Sequence, residues 1–221
     1  MPLHKNIAEA LALTERGLDR LAKEPGPKEP VVSTWDDWTL RDVFVHLSAW
    51  VGFASRKVGA IRDRKPFGEV DDIEAFNQDA YDRGSGLTLA RARGNWARDL
   101  ADLGSVADRF SDDELDRDSW PIGFSMSLAR YLVMDAFVHP VQHILYHALK
   151  TGRDETFLQT LKEAGPLLAW YDPAMDILGS FGDFFQGEGA RWRFFGAVDT
   201  HAFPASIRDH IRQLGDATPP R

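Results

Sequence analysis

Apolar residues recur at three- and four-residue intervals along most of the chain, the spacing of helices with one buried face. From Asn6 to Lys23 the stripe is Ile7, Ala10, Leu11, Leu18 and Leu21, with Glu9, Glu15, Arg16 and Arg20 elsewhere. The stretch Glu24 to Pro30 carries Pro25, Gly26, Pro27 and Pro30, and a helix cannot continue through it. A second helix is predicted from Thr39 to about Arg64. Thr39 followed by Asp42 resembles a capping box, and Leu40, Val43, Phe44, Leu47, Trp50 and Val51 form the apolar face. Lys65-Pro66-Phe67-Gly68 ends it.

A short acidic helix follows at Asp72 to Asp82, closed by Gly84-Ser85-Gly86. The next runs from Thr88 to Phe110 with Ala92, Trp96, Leu100 and Leu103 as its buried stripe. Ser111 to Leu115 reads as a capped turn and Trp120-Pro121-Ile122-Gly123 as a loop. The pattern is helical again from Ser125 to Lys150 and from Glu155 to Ala164. Beyond Gly165-Pro166 aromatics and glycines dominate, among them Trp170, Tyr171, Phe181, Phe184, Phe185 and Trp192. This tail is expected to form short helices and loops packed on the rest, with a last helix at Ala205 to Leu214. The chain therefore divides into a helical bundle over residues 1–164 and a C-terminal extension over 165–221, all-α throughout, with no repeat and no strand series.

Composition narrows the function. The 221 residues are 43% hydrophobic and 27% charged, the balance of a soluble globular protein long enough to bury a full core. Net charge is −8, and Lys and Arg nowhere form a block, so nucleic acid is not an expected partner. No run reaches the ~18 apolar residues of a membrane span, and the N-terminal segment lacks the apolar core of a signal peptide. A cytoplasmic location is the expectation. There is no cysteine, which removes disulfides, thiolate ligands and a cysteine nucleophile. Neither a Gly-x-Ser-x-Gly elbow nor a glycine-rich phosphate loop occurs.

What remains is histidine. His139, His143 and His147 are spaced four apart, and on a helix each such step turns only ~40°, so neighbours share a face. A pair at this interval can place two imidazoles on one metal, with a third ligand from another element and an open position for water or substrate. His46 is the lone histidine of the second helix and sits beside Val43, Leu47 and Trp50. It is the natural third partner where two long helices face each other, although a single histidine on an apolar face is also an ordinary hydrogen-bonded core residue. Three neutral imidazoles suit Zn, Ni or Fe better than Mg or Ca. Pro140 leaves two readings open: one helix ends near Val138 and another starts, or a kink tilts His139 inward. Asp135, four residues before His139, either orients an imidazole or lies on the helix surface. Arg41 and Arg130 read as surface residues, and Asp36-Asp37 and Asp112-Asp113-Glu114 as solvated helix starts.

Two segments resemble the DinB-like superfamily, which includes the mycothiol-dependent maleylpyruvate isomerase N-terminal-like proteins. They are Trp38-Thr39-Leu40-Arg41-Asp42-Val43-Phe44-Val45-His46-Leu47 with Trp50, and Phe137-Val138-His139-Pro140-Val141-Gln142-His143. The resemblance spans about Asn6 to Gly152. It implies an antiparallel four-helix bundle in which His46, His139 and His143 hold a divalent transition metal, with His147 an accessory in the pocket wall. It implies in turn a metal-dependent enzyme that activates water or a low-molecular-weight thiol for hydrolysis or transfer on a small molecule. The alternative is a non-catalytic helical protein that binds a small molecule or serves a stress response. Neither substrate nor oligomeric state, a homodimer included, is fixed by these residues.

Overall fold

A computed structural model describes residues 3–24, 38–151 and 153–171. Among them every regular element is helical. They are α1 (Leu3–Lys23), α2 (Leu40–Arg62), α3 (Ile73–Gly84), α4 (Leu89–Ala107), α5 (Asp112–Asp116), α6 (Leu128–Val133), α7 (His139–Lys150) and α8 (Asp154–Tyr171). A π-helical turn, Met134–Val138, joins α6 to α7. No described helix is long and apolar enough to cross a membrane. The expected helix at Ala205 to Leu214, the aromatic tail beyond Tyr171, and Asp36-Asp37 lie outside the described residues.

The chain clusters into two compact units. One comprises Met1–Glu15 and Trp38–Pro140, the other Arg16–Asp37 and Val141–Arg221. In the first, α2 packs along α4, and α3 and the π turn also lie against α2. The stripe expected on α4 is buried as Ala92, Trp96, Leu100 and Leu103, and α2 contributes Val43, Phe44, Leu47, Val51 and Val58. The face continues through Lys57, which is only 2% exposed. In the second unit, Arg20 of α1 binds Glu163 of α8 in a two-armed ion pair at 2.9 and 3.3 Å. Glu24 ties the end of α1 to α8 by accepting the Thr156 amide at 3.0 Å.

Capping chemistry sets several boundaries. The Asp42 carboxylate accepts the Thr39 amide at 2.8 Å and its hydroxyl at 2.6 Å, so the expected Thr39–Asp42 start of α2 is present. Ser111 and Glu114 cap one another reciprocally, and the expected turn there closes into α5.

Three expectations need correction. The helix expected to reach Phe110 ends at Ala107. The helix expected to stop at Ala164 runs through Gly165 and Pro166 to Tyr171. The single helix expected from Ser125 to Lys150 starts at Leu128 and is interrupted by the π turn. Pro140 explains that last difference, because it has no N–H for the Ala136 carbonyl four residues back. The π turn falls just before it, with the His139 N–H reaching the Met134 carbonyl five residues away. The buried Thr14 hydroxyl supplies the Ala136 carbonyl with a donor at 2.8 Å while also facing the Ala10 carbonyl at 3.0 Å.

Candidate metal centre

The start of α2 fixes where His46 falls. Arg41 reinforces it, donating to Asp42 at 2.6 and 2.8 Å and to the Ser85 carbonyl at 2.9 Å, so its guanidinium serves the helix start. Arg130 is exposed. From that start His46 lies on the inward face, 3% exposed, with the Trp38 ring centroid 4.9 Å from its own. The π turn places His139 at the first position of α7 in ordinary right-handed conformation, φ −60° and ψ −50°, despite the proline that follows.

These two elements bring His46 and His139 together. Their Nε2 atoms are 3.0 Å apart, the ring centroids 4.9 Å apart, and the ring planes meet at 84°. Two ligands at ~2.0–2.1 Å from one ion, subtending about 90–109° there, stand roughly 2.9–3.4 Å apart, so the pair fits a shared metal. The same distance is a hydrogen bond when one ring carries its proton on Nε2. His139 retains partial access to solvent, yet the surrounding protein pushes its pKa down to about 4, leaving a neutral ring at physiological pH. A neutral imidazole is the form that ligates a metal.

His143 is buried and follows His139 by four residues within α7. His147, a further four on, is fully buried, and neither ring nitrogen has a hydrogen-bond partner among the described residues. Desolvation, aided by the nearby positive charge of Arg153, pushes its pKa down to about 3.

An aromatic wall adjoins the pair. Trp50 lies 6.4 Å from the His139 ring and 4.6 Å from Phe76, and Phe53 packs on Phe67 at 5.2 Å and on Phe76 at 5.9 Å. Trp50 is anchored by its indole N–H on Asn77 Oδ1 at 2.9 Å. Next to this wall is a charged group not anticipated from the sequence. The Lys57 ammonium donates to the Ile122 carbonyl at 2.8 Å and to Glu69, and lies 5.4 Å from the Tyr131 ring centroid. Asp135 belongs to this group. It is buried, desolvation pushes its carboxyl up to about 7, and the Lys57 charge only partly opposes that shift. Burial, with the negative charges of Asp135 and Glu69, holds the Tyr131 phenol well above its usual value. The signal was present in the sequence: Lys57 occupies a core register of α2, and Asp135 interrupts the apolar run from Tyr131 to Val138.

The family model described as the mycothiol maleylpyruvate isomerase N-terminal domain matches residues 8–142. A similar solved structure is the crystal structure of a histidine-to-alanine mutant of the mycothiol-dependent maleylpyruvate isomerase. It superposes with a TM-score of 0.51 at 18% identity, covering 73% of this chain and 68% of that one. At that identity the likeness is one of fold. No curated protein matches the chain.

Proposed function

The chain belongs to the family of the mycothiol maleylpyruvate isomerase N-terminal domain, and from that premise we propose that it is a metal-dependent enzyme acting on a small molecule. His46, His139 and His143 are the ligands we assign, in the antiparallel four-helix arrangement the resemblance implies. The observation that carries the assignment is the 3.0 Å approach of the His46 and His139 Nε2 atoms. His143 joins them because α7 carries it one turn beyond His139. His147 is left out, because it stands ~12 Å along the helix from His139 at 1.5 Å per residue.

A divalent transition metal with three imidazole ligands and an open position lowers the pKa of a bound water or thiol toward neutrality. With no cysteine in the chain, a sulfur nucleophile has to come from a low-molecular-weight thiol, and the family gives that reading its weight. The chain's own contribution is positional. Trp38 packs on His46, Trp50 lies against His139, and Trp50, Phe53 and Phe76 present apolar surface to a substrate beside them.

Protein purified without chelator is expected to carry close to one Zn, Ni or Fe per chain. Metal-loaded protein, screened with electrophilic small molecules and a low-molecular-weight thiol, is expected to turn over at least one of them. His46→Ala and His139→Ala should each lower metal content and activity together. Turnover that survives complete metal removal would sink the proposal. A metal-free pair of mutually hydrogen-bonded histidines, with no turnover, would favour a non-catalytic binding protein.

A further inference from the structure

A hollow lies within the first unit, bordered by α2, α3 and α4, with a volume of about 550 Å³. That is the size of a small-molecule site. Two glycines shape it. Gly84 ends α3 against α2 so closely that a Cβ there would fall 2.5 Å from Val45 Cγ1. Gly52 leaves room for the Arg56 guanidinium, which folds back over α2 to 3.2 Å from where a Cβ at position 52 would sit. The lining is apolar at Val45, Ala49, Phe76, Ala80, Leu87 and Ala92.

Its charged side chains are mostly positive. Arg56, Arg83 and Arg98 all line the hollow, against the single carboxylate of Asp99. Asp99 is already engaged, accepting from Arg98 at 2.8 and 3.1 Å and from the Ser48 hydroxyl. Arg83 pairs with Asp79 at 2.7 Å, outside the lining. Arg56 has no carboxylate partner among the described residues. A planar guanidinium left with unused donors above an apolar floor matches a carboxylate or phosphate on a compact hydrophobic body. In a chain of net charge −8 such a cluster has a local electrostatic role.

We propose that this hollow is a ligand site separate from the histidine pair, and that it takes a small amphiphilic anion: a carboxylate or phosphate monoester, its charge on Arg56 and its apolar body on Ala49, Phe76 and Ala80. The two sites are linked through one wall, since Phe76 lines the hollow and packs on Trp50, which in turn lies against His139. The proposal does not depend on what the histidines hold.

Isothermal titration calorimetry on the full chain tests it, with phenyl phosphate and 3-phenylpropionate as probes and inorganic phosphate and benzyl alcohol as controls. One of the two amphiphilic anions should bind saturably with one-to-one stoichiometry, at least tenfold more tightly than either control. Arg56→Gln, at an exposed position that should leave the fold intact, should weaken it at least tenfold. Ala49→Leu, which fills the floor, should do the same, with circular dichroism checking that it is folded. His139→Ala should leave the affinity unchanged. Absence of binding by both anions, indifference to Arg56→Gln, equal binding of inorganic phosphate, or loss of binding in His139→Ala would each overturn the proposal.

Discussion

At the scale of the residue, the informative positions are polar groups placed where burial works against them. Asp135 is the clearest. Its folded pKa of about 7 is above the ordinary aspartate value of 3.8, so between those values the folded state holds a proton that the unfolded chain has lost. By linkage this group's contribution to stability is greatest at low pH and declines as pH rises from about 4 through about 7. Asp135→Asn removes the ionisation and keeps the shape. Melts of both proteins across pH 5 to 9 should show the variant gaining on the parent as pH rises, with the gap levelling off above about pH 8. A gap independent of pH would mean that Asp135 does not titrate as assigned. His147 poses a related question, with two buried ring nitrogens lacking partners among the described residues. An orphaned buried polar group costs about 1–3 kcal/mol, so His147→Leu should be neutral or stabilising in a denaturant melt, and metal content should not change. A loss of metal with the fold retained would instead make His147 a ligand.

At the scale of the element, the junction at Met134–Val138 decides where His139 points. The two readings of Pro140 left open by the sequence resolve into a third arrangement, a π turn followed directly by α7. Proline chemistry foretold a missing donor at the Ala136 carbonyl, but not its replacement by Thr14, 122 residues away in sequence. Local pattern sees only neighbours along the chain, which is why the stripes of α2 and α4 and the Thr39–Asp42 start were legible and this junction was not. The same limit hid Lys57, whose partner Glu69 and whose carbonyl acceptor at Ile122 lie in segments without helical periodicity. Gly165-Pro166 misled in the opposite direction, since packing carries α8 through both residues. His46 and His139 were legible as candidates from type and spacing, while their approach required the fold. Thr14→Val tests the junction, because it removes the hydroxyl and keeps the volume. It should cost about 1–3 kcal/mol of stability in chelator-treated protein. Pro140→Ala, which restores a backbone donor for Ala136, should recover part of that loss in the double variant. No loss in Thr14→Val would show that the carbonyl is satisfied some other way.

At the scale of the whole molecule, a bound metal and the fold are coupled by mass action. An ion that binds the folded chain and not the unfolded one stabilises by about 2.7 kcal/mol when free metal is a hundredfold above its dissociation constant. For a chain of this length each kcal/mol moves the melting temperature by roughly 2–4 °C, so the metal-loaded protein should melt about 5–10 °C above the chelated one. The apolar side chains that α2 and α4 bury include none of the proposed ligands, so chelation should lower the melting temperature without abolishing the transition. His46→Ala separates the two contributions. If His46 is a ligand, the variant should melt near the chelated parent and respond little to added metal. If His46 is only a core residue, the variant should melt below both forms of the parent and keep the full metal-dependent shift. A parent whose melt ignores chelator, despite stoichiometric metal in the starting material, would place the ion on the surface rather than between His46 and His139.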